Sequence, residues 1–247
     1  MGTPKRSKIG RASVKSGAVI LSVCKSDYFL ERARQVCLSP IEYVASPSTP
    51  ISNGNYYSAG FLDAYIMAAS ALEAFINERL AIDLEFHNRR LGMAEYKHDF
   101  PNDRKEKDIL DLLTKQNLET KYRLSPILLY NHSYEANRYP FLDFTWLVRI
   151  RNDIIHYEMP FYDETNSKPK WVDFLEHKGI FLDKPVVHPP SPIPDEGRRI
   201  WIEEICTFKG AKWAYNTSCS MIKEYFNMAE GVIKSTCQPW VDSIPEL

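Results

Sequence analysis

An arginine, an asparagine and a histidine fall within six residues of one another in Arg151-Asn152-Asp153-Ile154-Ile155-His156, inside the largely apolar stretch WLVRIRNDIIHYEMP at 146–160. A guanidinium is a permanently charged fork of donors, an amide both donates and accepts, and an imidazole exchanges a proton near neutral pH. Such a set can grip one phosphate-sized anion: the fork neutralises oxygen charge and the ring moves protons.

Positioning these groups requires a helix. Pro140 is well placed to start one and Pro160 cannot continue it, so a helix is expected over 141–158. On it Trp146, Ile150, Ile154 and Tyr157 recur at intervals of three and four and mark a buried stripe. Asn152 and His156 share another face, with Arg151 at its edge. The longest helix is expected over 55–91, where Phe61, Ala64, Ala68, Leu72, Phe75, Ile76 and Leu80 make a continuous apolar stripe. The small residues at 68–71 would let a neighbouring helix approach closely. Glu73 and Asn77 lie four apart beside that stripe, a solvated edge by pattern; if Arg151 is structural rather than catalytic, it pairs with a carboxylate such as Asp153 or Glu73, and His156 merely closes a dimer interface.

The remaining segments read as scaffold. A first helix is expected over 18–38, another through Ile109, Leu110, Leu112 and Leu113, a shorter apolar stretch at 127–130, and a short helix around 171–177. Five prolines between Pro185 and Pro194 forbid helix or central strand, so 183–197 is an extended insertion. Residues 199–208 read as a short strand, and the last helix is expected over 210–233. The pattern is all-α: a basic flexible arm over 1–15, then one helical domain over 16–247 with the Pro-rich insertion before its last helix.

Composition narrows the partners. At 247 residues with 44% hydrophobic and 26% charged residues the chain can bury a sizeable core. A net charge of −1 provides no chain-wide attraction to nucleic acid, so any polyanion must be held by a local patch. The 5 cysteines, Cys24, Cys37, Cys206, Cys219 and Cys237, are scattered without a CxxC pair, which suggests neither a disulfide framework nor a zinc site and fits a reducing cytoplasm. His87, His98, His132, His177 and His188 lack metal-ligand spacing, so no metal and no cofactor is expected. The basic residues before the apolar run 17–24 superficially resemble a secretory signal, but the run is short and Val23 replaces the small residue that cleavage needs. No stretch approaches the ~20 apolar residues of a membrane span.

Arg151 to His156, together with ALEAFINERL at 71–80, resembles the HEPN superfamily, whose signature is an arginine, four to six residues and a histidine, commonly with a polar residue after the arginine. The resemblance covers the two motif helices and neither the N-terminal arm nor the Pro-rich insertion. It implies a helical bundle that dimerises so that both motifs meet at the two-fold axis. Many members are metal-independent endoribonucleases of toxin–antitoxin, abortive-infection and CRISPR systems. By that likeness Arg151 and His156 would be catalytic, Asn152, Asp153 and Glu73 supporting, RNA the substrate, and the partners a second copy and an antitoxin or defence-system protein. The alternative implied by non-catalytic members is a dimeric module that binds nucleotide, RNA or protein. HEPN toxins controlled by nucleotidyltransferase antitoxins carry His-x-Tyr, whereas here Tyr157 follows His156 directly and Glu158 takes the tyrosine's place, which argues against that route of control.

Overall fold

The chain is a computed structural model describing residues 25–38, 49–50, 56–57, 60–92, 103–156, 161–162, 170–181, 199–229 and 232–247. Its elements run α1 (Lys25–Leu38), β1 (Thr49–Pro50), β2 (Tyr56–Tyr57), α2 (Phe61–Gly92), α3 (Asp103–Thr114), α4 (Leu118–Tyr130), α5 (Phe141–His156), β3 (Phe161–Tyr162), α6 (Lys170–His177), β4 (Arg199–Ile200), α7 (Trp201–Glu204), α8 (Phe208–Met228) and α9 (Val232–Ser243). The all-α expectation holds: among the described residues the only strands are these two-residue pairs, β1 with β2 and β3 with β4, both antiparallel.

α2 occupies the centre because its alanines permit it. Ala64, Ala68, Ala69 and Ala71 are fully buried, and α1, α3, α4, α5 and α8 all pack on this one helix. Leu72 and Ile76 on the same stripe have no exposed surface, and each contributes about 1.5–3 kcal/mol by its burial. Polar side chains fix the approach of neighbours to α2. Tyr122 of α4 donates to the Leu72 carbonyl at 3.0 Å, and Ser218 of α8 donates to the Ala68 carbonyl at 3.0 Å. The start of α1 is held by Glu78 of α2, which accepts from the Lys25 backbone N–H at 2.6 Å and from the Ser26 hydroxyl at 2.7 Å, a carboxylate where a helix N-terminus favours one.

α8 begins where Thr207 accepts from the Gly210 N–H at 3.0 Å, the usual duty of an N-cap threonine. Gly210 itself must lack a side chain: a Cβ there would run into the Tyr65 hydroxyl and come within 2.9 Å of the Ile205 carbonyl. α5 is anchored at its first turn by Asp143, which is buried yet satisfied. It accepts from the Trp213 indole of α8 at 2.7 Å and pairs with Lys178 at 3.0 Å.

Several expectations need correction. α2 begins at Phe61 rather than 55, because Tyr56 and Tyr57 are extended and paired with β1, and the Gly60 carbonyl accepts the first helical bond, from Asp63 at 3.1 Å. The stretch 127–130 is the end of a 13-residue helix, α4. Its N-terminus is capped by the Asn117 side chain, and its C-terminus by Asn131 in the left-handed region at φ 54°. The expected strand at 199–208 is only Arg199–Ile200, followed by the turn of α7. The expected last helix ends at Met228 and is followed by α9, so the Pro-rich insertion precedes α7 and α8 and not the last helix. The arm 1–15, the insertion 183–197 and the first part of the expected helix 18–38 lie outside the described residues.

Burial pushes the thiols of Cys37 in α1 and Cys219 in α8 up to about 12 from 9.0. The unfolded chain then loses these protons near pH 9 while the fold keeps them until about pH 12. Their contribution is therefore level below pH 9 and is lost as pH rises between those two values, on the order of 1 kcal/mol per pH unit for each thiol. Urea unfolding at pH 8 and pH 10.5 should show the decline, and Cys37→Ala with Cys219→Ala should lessen it, the remainder belonging to buried tyrosines such as Tyr65 and Tyr122, whose hydroxyls burial also pushes up.

Candidate functional site

The N-terminal half of α5 is core and its C-terminal end is not. Phe141, Phe144, Leu147 and Ile150 are buried, Trp146 and Ile154 are half-buried, and Asp153, Ile155 and His156 are exposed. The expected stripe therefore holds at Ile150 and in part at Trp146 and Ile154, while Tyr157 lies outside the described residues. Trp146 stacks on Phe174 of α6 with ring centres 5.6 Å apart, which fixes the roll of α5.

That roll turns Arg151 toward α2. Its Nη2 donates to Glu73 Oε2 at 3.0 Å and its Nη1 to Asn152 Oδ1 at 3.0 Å, while its Nε is buried without a partner. The arginine side chain is 26% exposed and the glutamate 46%, so the pair stands at the edge of solvent and is worth at most about 1 kcal/mol. Asp153, the other carboxylate weighed for this arginine, is engaged elsewhere: its Oδ2 accepts from the Trp171 indole of α6 at 2.7 Å. Of the five residues singled out, Arg151, Asn152 and Glu73 are thus in direct contact and Asp153 faces α6.

His156 occupies the last turn of α5. It is exposed and, among the described residues, makes no side-chain hydrogen bond. Five positions separate it from Arg151, which on a helix is about 140° of rotation and ~7.5 Å of rise, so the two side chains leave α5 in different directions. Asn152 bridges the gap: bonded to Arg151, it shares a face with His156 four positions on. The open end of α5 also carries Ile155, a large apolar side chain 49% exposed.

Two neighbours of the site carried no signal in the sequence. Trp171 had been legible only as a helical apolar position, and Lys121 of α4, whose ammonium donates to Asn77 Oδ1 at 2.6 Å, belongs to a helix whose apolar pattern is broken by its own buried polar groups. A cavity of about 280 Å³ lies apart from this site, among Leu30 and Arg34 of α1, Tyr215 of α8, Trp240 of α9 and Ile244. Among the described residues no cluster of three or more His, Cys, Asp or Glu could hold a metal ion, and no helix is long and apolar enough to cross a membrane. No protein-family profile, curated protein or solved structure matches the chain.

The geometry makes the Arg151–Glu73 pair an adjustable contact rather than a brace. A double-mutant cycle of Arg151→Ala and Glu73→Ala, read by urea unfolding, should give a coupling of about 0.5–1 kcal/mol. A coupling above about 2 kcal/mol would instead make the pair a structural clamp between α2 and α5.

Proposed function

We propose that the chain is a HEPN-like endoribonuclease that cleaves single-stranded RNA. The observation that carries this reading is the arrangement on α5: a guanidinium already aimed by Glu73 and Asn152, and on the last turn of the same helix an exposed imidazole that no other described side chain engages. In the reaction the 2′-hydroxyl attacks the adjacent phosphorus. The 2′-O–P bond forms, the P–O5′ bond breaks, and the products are a 2′,3′-cyclic phosphate and a 5′-hydroxyl. His156 takes the proton of the 2′-hydroxyl or returns one to the departing 5′-oxygen, and Arg151 relieves the charge of the phosphorane. Asn152 keeps the guanidinium turned toward the phosphate. A second copy, related by a two-fold axis along the open end of α5, would supply the second imidazole and cover Ile155. The family likeness extends the proposal to a toxin or defence effector acting in the cytoplasm under restraint by a partner protein.

The ion pair with Glu73 favours one competing reading. A carboxylate already on the guanidinium leaves it less charge for a phosphorane, which suits a non-catalytic dimeric module that binds nucleotide, RNA or protein at the same face.

Two measurements decide between them. Incubated with single-stranded RNA in EDTA near neutral pH, the wild type should yield cyclic-phosphate ends; His156→Ala and Arg151→Ala should each lower the rate at least ~100-fold, and Asn152→Ala less, with stability to urea changed by no more than about 1 kcal/mol. RNA bound but left intact would establish the binding module. By light scattering at micromolar concentration the chain should be a dimer, and Ile155→Asp should dissociate it; a monomeric wild type would count against the shared site.

A further inference from the structure

A second cation, contributed by a different helix, is held one turn of α2 away from the residue that holds the motif arginine. Lys121 of α4 is 7% exposed, and its ammonium is held at the side chain of Asn77, an exposed residue of α2. The bond to Asn77 Oδ1, at 2.6 Å, is to a neutral acceptor. The carboxylates nearest in sequence to either partner are committed elsewhere: Glu78 caps the start of α1, and Glu119 pairs with Arg123 at 3.0 Å. Among the described residues no carboxylate lies within ion-pair distance of Lys121, so its charge is offset by none of them. A buried lysine stem costs rotamer entropy and its head loses water, and a neutral amide offsets this less well than an anion would.

The placement relates Lys121 to the site already described. Glu73 and Asn77 are one turn apart on α2, roughly 6 Å between attachment points. Arg151 lies on the first and Lys121 on the second, so each of the two cations is held by its own residue of α2, while Glu78, beside Asn77, accepts from the start of α1. Two cations held a helical turn apart by separate residues suit neighbouring phosphates of an extended strand better than two oxygens of one phosphate.

Resting on the ribonuclease reading above, we propose that Lys121, held by Asn77, binds the RNA backbone phosphate next to the one that Arg151 engages, giving the chain a two-phosphate grip across α2. Lys121 is in this role a backbone-binding residue. It fixes the register of the strand over His156 and reads no base.

The test uses the full chain and a single-stranded oligoribonucleotide 2′-O-methylated at every position, which cannot supply the nucleophile, with binding followed by fluorescence anisotropy across a potassium chloride series. Each phosphate contact on a single strand contributes about 0.7 to the slope of log affinity against log salt. Lys121→Gln should reduce that slope by ~0.7 and weaken binding alike for all sequences, while Lys121→Arg should restore it. Asn77→Asp places a carboxylate on the ammonium from an exposed position and should produce the same loss without disturbing the buried stem, so a poorly folded Lys121→Gln does not shelter the idea. Wild-type slope and affinity in both Lys121→Gln and Asn77→Asp, or a wild type that binds no RNA, overturns the grip. Cleavage of unmodified RNA with unchanged slopes would sink the grip and leave the nuclease reading standing; a reduced slope without cleavage would do the reverse.

Discussion

A guanidinium at the edge of a packed helix must be met by an anion or by good acceptors, because removing its donors from water is expensive otherwise. Arg151 meets this requirement with Glu73 across the α2–α5 seam and Asn152 on its own helix, leaving only Nε unanswered. This constraint orders the rest. The stacking of Trp146 on Phe174 sets the roll of α5, and α2 must then present residue 73, and not its apolar neighbour Leu72, to the seam. A rotation of α2 by one position, about 100°, would put Leu72 opposite the charge and expose core.

The fold guards against that rotation with bonds to the backbone of α2 as well as to its side chains. Tyr122 and Ser218 donate to the carbonyls of Leu72 and Ala68, one turn apart, from α4 and α8. Tyr65 extends in the other direction, donating to the Ile205 carbonyl at 3.1 Å just before α8. Carbonyls of a helix interior already accept one bond each, so these contacts use their second lone pair and hold α2 without breaking it. Asp143 does for α5 what these do for α2, binding its first turn to α8 and to Lys178. Both helices are therefore fixed upstream of the site, and the C-terminal end of α5 is held in turn by Glu73 on Arg151 and Trp171 on Asp153.

How much of this was legible follows from what each segment asks of its residues. The stripe of α2 could be read because its core positions are apolar and their period unbroken over several turns, whereas α5 was read only in part, since its core runs through Phe141, Phe144, Leu147 and Ile150 with the polar Asp143 and Thr145 buried beside them. α4 could not, since Lys121, Tyr122, Ser125 and Pro126 are what it buries, and three of these four are polar or helix-breaking residues that normally mark surface or a break. α9 was missed for a like reason: Thr, Cys, Gln and Pro239 fill it, and its docking depends on tertiary contacts such as the Trp240 indole on Asp27 at 3.1 Å. At the site, Arg151, Asn152 and His156 could be named from type and spacing, and Glu73 as one of two carboxylates in reach. Which of the two pairs with Arg151 depends on where α6 sets Trp171, a contact 18 positions away from Asp153 that no local pattern encodes. Lys121 shows the limit most clearly, because a lysine in a helix is ordinarily a solvated side chain and only the packing of α4 on α2 turns it toward Asn77.

Local charge then decides how strongly such a site can hold a polyanion. With a chain-wide net charge of −1, attraction comes from within about 8 Å of the cations, the screening length at physiological salt. A phosphate approaching Arg151 competes with Glu73 for the same guanidinium, so part of the attraction is spent displacing a carboxylate that is 46% exposed and free to turn into water. On the proposed ribonuclease reading Glu73 would keep the guanidinium oriented when no ligand is near, lower its hold on a monoanionic phosphodiester, and yield it more readily to a dianionic phosphorane, since the gain rises with the charge gained. The ion pair would then act on the difference between ground state and transition state, the difference that sets a rate.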